Sequence, residues 1–243
     1  MDTFELEKTI SFSNCDEQGR LKLTALVDYM METSNTQLNL KKAGVEDLGE
    51  KGLGWVVLDY DFNINALPQA DEKVIFSTRA SGYNRFFVYR DFNVKNMDGE
   101  TLVEVKSQWI MFDLKNRKMV PPNKEIISRF SDLKEATFRF KRSRPLKEIA
   151  GSESYKVKYY DLDTNHHVTN SKYFEWLIDS LERNFLNRHL PTHLNITFKR
   201  EIYDNEIVTI QKFVDLGKLE SRHEIKVGDE VAALAKISWK KLK

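Results

Sequence analysis

Asp163, Asn165 and His167 stand at i, i+2 and i+4 in the polar segment 160–169, which runs directly into an amphipathic stretch. If the segment is extended, the three side chains project to the same side. A carboxylate, an amide and an imidazole then converge, the groups needed to move a proton and steady a neighbouring charge. Helix signals follow at once: Asn170 or Ser171 can cap a first turn, and Tyr173, Phe174, Leu177, Ile178, Leu181 and Phe185 recur at three- and four-residue intervals. A helix N-terminus offers unpaired N–H groups and a partial positive charge, and so suits a developing oxyanion. A second carboxylate comes from the strand 193–201, whose Leu194, Ile196 and Phe198 form one face and Asn195, Thr197, Lys199 and Glu201 the other. As the first strand after the helix, it can bring Glu201 beside the loop.

The elements that position these groups occur twice. An opening strand at 4–12 precedes a helix at 23–41, with Leu23, Leu26, Val27, Met30, Met31, Ser34 and Leu38 on its apolar stripe. Residues 55–65 alternate strictly, and strands at 73–80, 85–95 and 101–113 follow, the last two joined by a turn at Asn96-Met97-Asp98-Gly99. Residues 114–150 break the pattern with Pro121, Pro122 and Pro145 and a basic cluster (Lys134, Arg139, Lys141, Arg142, Arg144, Lys147), which reads as a connection, partly helical near 123–135. The order then restarts: a strand at 155–160, the Asp163–His167 segment, a helix at 170–187, and strands at 193–201, 206–215, 218–227 and 230–240.

A shift of 147 positions superposes the two runs, placing Asp16 on Asp163, Gln18 on Asn165, Arg20 on His167, Leu26 on Tyr173 and Met30 on Leu177. Only the second copy then holds an imidazole. Each copy is an antiparallel sheet wrapped on one long helix, an α+β arrangement, and two such units most simply pair their sheets edge to edge. The expected division is 1–130, a basic linker at 131–150, and 151–243.

Composition excludes several classes. With 38 Lys+Arg against 37 Asp+Glu, nothing global attracts nucleic acid or an anionic membrane. No apolar run approaches the ~20 residues that span a bilayer, and the first residues lack a signal-peptide pattern, so membrane insertion is not expected and a cytoplasmic location is. Cys15 is the only cysteine, which excludes an intrachain disulfide and a thiolate metal cluster. No Gly-x-Ser-x-Gly elbow is present. Gly52-Leu53-Gly54 precedes a strand and lacks a third glycine, so it reads as a turn. His189 and His193, even with His166, do not read as a metal site, because Pro191 interrupts one helical face. Met30, Met31 and Trp55 read as core that borders an acyl pocket at most.

The stretch from Asp161 to Trp176 resembles the catalytic segment of the acyl-acyl carrier protein (acyl-ACP) thioesterases of plastids and bacteria, of the form D-x-D-x-N-x-H-V-x-N-x-x-Y-x-x-W. Tyr89-Arg90-Asp91-Phe92, Trp109 before Met111-Phe112-Asp113, Leu194-Asn195-Ile196 and Lys199-Arg200-Glu201 agree as well. The resemblance covers nearly the whole chain. It implies two tandem hotdog units, a catalytic role for Asp163, Asn165, His167 and Glu201, no cofactor or metal, and an acyl carrier protein as partner. Some relatives place a cysteine directly after the glutamate; here Ile202 stands there, and Cys15 lies in the half without the imidazole, so hydrolysis must rest on carboxylates. Asp163 is expected to attack the thioester or act as base on water, with Glu201 and His167 orienting and deprotonating water, Asn165 holding the neighbouring groups or the carbonyl, and N–H groups around His167 and Val168 stabilising the oxyanion. The acyl chain is expected in the N-terminal unit. The basic cluster and Lys240-Lys241 are candidates to receive the acidic carrier. An acyl-CoA thioesterase and a non-catalytic acyl-binding regulator are the alternatives. Two units in one chain make a monomer viable, and exposed edges leave a homodimer open.

Overall fold

The computed structural model describes residues 2–130 and 133–242. Ser131 and Asp132, at the head of the expected linker, and the terminal residues 1 and 243 lie outside the described residues. In the N-terminal half, β1 (Phe4–Thr9) leads to α1 (Leu23–Leu40), α2 (Val45–Gly49), β2 (Leu53–Ile64), β3 (Lys73–Tyr83), β4 (Phe87–Asn96), β5 (Thr101–Asp113), β6 (Lys118–Val120) and α3 (Lys124–Ile127). The C-terminal half holds β7 (Gly151–Lys156), α4 (Asn170–Asp179), α5 (Arg183–Leu186), β8 (His189–Phe198), β9 (Ile207–Asp215), β10 (Glu220–Val227) and β11 (Glu230–Lys241).

Among the described residues all eleven strands belong to one antiparallel sheet, ordered β1-β3-β4-β5-β2-β8-β11-β10-β9-β7 with β6 on β5. The order reads the same from either end, each strand of one half facing its counterpart in the other. The halves join through β2 and β8, from Asp59↔Thr197 to Asn63↔His193, the edge-to-edge pairing expected of two like units. His193 Nε2 also meets Asp61 Oδ1 across this seam at 2.6 Å.

The duplication extends to individual backbone bonds. Asp16 N–H donates to Arg20 O (2.8 Å) and Gly19 N–H to Asp16 O (3.0 Å); 147 residues later Asp163 N–H donates to His167 O (2.9 Å) and His166 N–H to Asp163 O (3.0 Å). Leu21 N–H donates to Pro68 O (2.8 Å) as Val168 N–H donates to Ile202 O (2.7 Å), so beyond the helix the offset becomes 134. The eight-residue excess of α1 over α4 makes the loss of a single register unsurprising.

One hydrophobic core runs through both halves beneath the sheet. Its centre is aromatic: Phe62 of β2 meets Phe174 of α4 edge-on at 5.4 Å, and Tyr60 lies 6.3 Å from the same ring. A smaller cluster of Ala43, Leu48, Met111, Ile126 and Phe130, with Trp55 against it, closes the end of the N-terminal half. Met30 is core, and Met31 packs against it with its sulfur accepting from Tyr60 Oη at 3.3 Å.

Several elements depart from expectation. The helix expected over 170–187 ends at Asp179, where Ser180 Oγ donates back to Leu177 O, and a separate short helix, α5, follows. The N-cap is Thr169, not Asn170 or Ser171, and its side chain makes no capping bond. The strand expected at 155–160 lies at 151–156, and β8 begins at His189, passing Pro191 where the register slips between Ser238 and Trp239. The helix near 123–135 is one turn, α3, capped by Asn123 Oδ1.

The connection is a strap on the outer face of the sheet. Ala136 N–H donates to Tyr83 O (2.8 Å), Phe138 and Phe140 lie on Tyr89, Asn195 Nδ2 donates to Lys141 O (3.0 Å), and Leu146 N–H donates to Glu224 Oε2 (2.9 Å). Gly82 permits this approach, since a Cβ there would stand 2.8 Å from that of Ala136. The polar face of β2 and β8, which alternation assigns to solvent, is therefore covered. Asp59 is only 2% exposed and accepts from Thr197 Oγ1 at 2.6 Å, with Arg142 at 3.5 Å.

Candidate active site

The segment 163–167 is a tight turn rather than a strand. His166 adopts φ +65°, the left-handed region, as Gly19 does (+76°) at the same place in the first copy. The reversal lets Asp163 Oδ1 accept from Asn165 N–H at 2.8 Å while Oδ2 faces His167 Nδ1 at 3.5 Å. Convergence of these two side chains thus comes from chain reversal, not from alternation. Asn165 is carried outward: its side chain is exposed and makes no hydrogen bond to the protein among the described residues.

Glu201 arrives from the other direction. It lies three residues past the end of β8, in a loop pinned by the Val168–Ile202 bond and the bridge between His167 and Tyr203. Its Oε1 faces His167 Nε2 at 3.9 Å, so the imidazole stands between two carboxylates, one toward each ring nitrogen. Both separations suit ion pairing more than a made hydrogen bond, and contacts of this kind tighten when a substrate is in place.

Asp161, the first acid of the motif, has a structural role: buried, it accepts from Lys158 N–H (2.8 Å) and Tyr155 Oη (2.9 Å) and pairs with Lys172 (3.1 Å). It ties the turn to the first turn of α4. Of the expected oxyanion donors, Val168 N–H is spent on Ile202 O, which leaves that of His167.

Two residues at the site escaped the reading of the sequence. Glu201 Oε2 accepts from Arg117 Nη2 (2.6 Å) and Tyr203 Oη (2.5 Å), and Arg117 Nη2 also donates to Tyr203 Oη (2.8 Å). Burial pushes the Glu201 carboxyl up, but the bonds from Tyr203 and Arg117 and the nearby imidazole outweigh it and hold the group below the ordinary glutamate range. Tyr203 was within reach of inspection, two residues from Glu201; Arg117, 84 residues away in the other half, left no signal in spacing.

The first copy builds the same turn without the chemistry. Arg20 replaces the imidazole, donating Nε to Asp16 Oδ2 (2.9 Å) and reaching His189 O (3.2 Å) and Leu186 O (3.3 Å) in the other half. At the 134-residue offset Leu67 stands where Glu201 does, so the second carboxylate is missing as well.

Residues 1–130 match the family model of the acyl-ACP thioesterase N-terminal domain, and residues 146–241 that of the C-terminal domain. The chain belongs to the acyl-ACP thioesterase family. Within the family it is 26% identical over 203 residues to a chloroplastic acyl-acyl carrier protein hydrolase of Cuphea viscosissima, covering 76% of this chain and 49% of that one. The chain spans about half the length of the curated relatives it matches. Among solved structures, a Lactobacillus plantarum protein provisionally named an oleoyl thioesterase superposes with a TM-score of 0.95 at 29% identity, over 99% of this chain and 97% of that one. An acyl-ACP thioesterase of Bacteroides thetaiotaomicron shares the fold, with a TM-score of 0.86 at 21% identity over 98% of each chain. The α+β fold of two tandem hotdog units is that of this acyl-ACP thioesterase family, and no helix among the described residues is long and apolar enough to cross a membrane.

Proposed function

We propose that the chain hydrolyses the thioester of a fatty acyl chain on acyl carrier protein, releasing free fatty acid and so ending chain extension. The observation that carries this reading is the imidazole of His167 held between Asp163 and Glu201, in a chain whose one cysteine is buried in the other half. Net reaction consumes one water: the C–S bond breaks, a C–O bond forms, and the thiol leaves with a proton.

Two routes use the same groups. In one, Asp163 attacks the carbonyl to give a mixed anhydride, which water activated by His167 and Glu201 then cleaves. In the other, His167 takes a proton from water as it attacks the thioester, and the imidazolium so formed protonates the departing sulfur. Asn165, exposed at the tip of the turn, would hold the carbonyl or the pantetheine arm, and His167 N–H would meet the oxyanion. Incorporation of labelled solvent oxygen into Asp163 during turnover separates the routes.

The division into an N-terminal unit ending near 130 and a C-terminal unit beginning near 151 belongs to this reading, with the acyl chain lodged between α1 and the sheet of the first unit. There Met30 and Met31 offer adaptable side chains. The exposed basic residues of the strap and Lys240-Lys241 are the proposed landing for the acidic carrier. A cytoplasmic monomer is the simplest form, and a homodimer through the outer strands is the alternative.

The test is hydrolysis of an acyl-chain panel presented on carrier protein and on coenzyme A, with Asp163→Asn and His167→Ala beside wild type. A carrier preference lost in both variants by about a hundredfold or more supports the reading. Equal or better turnover of coenzyme A esters replaces the carrier with that nucleotide thiol. Binding without turnover leaves a regulator.

A further inference from the structure

We propose that Arg117 and Tyr203 are positioning residues of the site: together they hold one oxygen of Glu201 and so aim the other at His167, which makes the N-terminal half part of the catalytic machinery. The proposal rests on the hydrolytic reading above. It assigns a function to a hairpin that neither the motif nor the repeat requires.

Three observations carry it. The first is the division of labour on the carboxylate: Oε2 takes both donors, Arg117 Nη2 and Tyr203 Oη, while Oε1 alone faces the imidazole. A carboxylate held by one oxygen has a fixed rotation, and the free oxygen a fixed direction. The second is the rigidity of the supports. Arg117 sits in the turn between β5 and β6 at φ +48°, and that turn is locked by Asp113, whose Oδ1 accepts from Lys115 N–H (3.0 Å) and Asn116 N–H (2.8 Å). Backbone strain at a non-glycine residue is maintained here where it delivers a guanidinium across the seam. The guanidinium is further steadied 5.8 Å from the centre of the Phe112 ring, and Tyr203 is fixed by its N–H bond to Glu206 Oε2 at 2.8 Å. The third is asymmetry. β6, which completes this hairpin, stands off the repeated strand order, paired with β5 alone. Gln69 and Leu67 occupy the places of Tyr203 and Glu201 in the first copy, so none of the three groups is a general requirement of the fold.

The arrangement also divides the chemistry. Two donors on Glu201 weaken it as a proton acceptor and keep it anionic. It therefore orients the imidazole, and His167 itself takes the proton.

Wild type is compared with Arg117→Ala, Arg117→Lys and Tyr203→Phe in two measurements. The pH profile of hydrolysis should show kcat reduced about tenfold to a hundredfold in Arg117→Ala, with KM changed less than twofold and the acidic limb moved to higher pH. Arg117→Lys should recover part of the rate and return the limb toward wild type. Independently of turnover, the Glu201 carboxyl carbon is titrated by NMR in protein labelled at glutamate, assigned with Glu201→Gln. It should titrate at higher pH in Arg117→Ala and in Tyr203→Phe. An unchanged acidic limb together with an unchanged carboxyl titration overturns the proposal. Wild type without thioesterase activity overturns the hydrolytic reading instead, and the carboxyl titration still decides whether Arg117 holds Glu201.

Discussion

Acidification should weaken this protein through one buried ring. His223 of β10 is fully enclosed, with Ser180 Oγ 3.3 Å from Nδ1 and Ser221 Oγ 2.9 Å from Nε2. Among the described residues no carboxylate is bonded to it, and Lys212, its cross-strand neighbour on β9, adds a like charge. Burial, then Lys212, push its pKa down to about 3 from the ordinary 6.5. The unfolded chain therefore binds a proton below pH 6.5 that the folded chain refuses until about pH 3. Stability is fully present above the unfolded value and is lost as pH falls through this window, at a slope of about 1.4 kcal/mol per pH unit. At about pH 4 the loss from this group reaches about 3 kcal/mol, large beside a typical total of roughly 5–15 kcal/mol. Urea unfolding followed by circular dichroism at several pH values between 7 and 4, for wild type and His223→Gln, isolates the ring because the other titrating groups are common to both. The variant starts less stable by about 1–3 kcal/mol, since its amide replaces the ring imperfectly between two hydroxyls. Its shallower pH dependence should bring the two proteins together near pH 4. Parallel losses in both proteins across the window would refute the reasoning.

Three further outcomes follow from the site and its supports. Gly19→Val should lower stability by about 1–2 kcal/mol, because φ +76° excludes a branched side chain, whereas His166→Gly at the matching turn should change it by less than about 1 kcal/mol; a thermal melt that finds Gly19→Val harmless defeats the comparison. Asn165→Ala should lower kcat by about tenfold with an unchanged melting temperature, since the side chain bonds to nothing in the protein among the described residues, and an unchanged kcat would remove it from the reaction. Thr197→Val deprives the buried Asp59 carboxylate of its 2.6 Å donor, which should cost about 1–3 kcal/mol and speed proteolysis within 134–147; cleavage as slow as in wild type would mean the strap is held elsewhere.

The duplicated plan was legible because apolar periodicity records which side of each element is buried, and both halves bury the same side. The central strands, long and alternating, fell within two or three residues of β2, β5 and β11. The break at Ser180 was hidden, since Leu181 and Phe185 continue a helical spacing that Ser180 ends by bonding back to Leu177. Covering of Asp59 and Asn195 was hidden too: alternation separates two faces but does not say whether the polar one meets water or a strap. Asp163 and His167 do meet, but across a turn and not along an extended backbone, and the left-handed His166 that makes the turn leaves no mark in composition. Arg117 belongs to a contact made only by folding, between segments that share neither element nor half.

The bonded seam between β2 and β8 has a mechanical consequence. Hydrogen bonds along a sheet resist the sliding of one strand past the next, so the strands of both halves form a single beam. Under the proposed function, room for an acyl chain must then come from whatever rests on the beam: the helices beneath it, the strap above it, and the hairpin tip that carries Arg117. The continuous ladder keeps the two sides of the site in register, Arg117 from one half and His167 from the other.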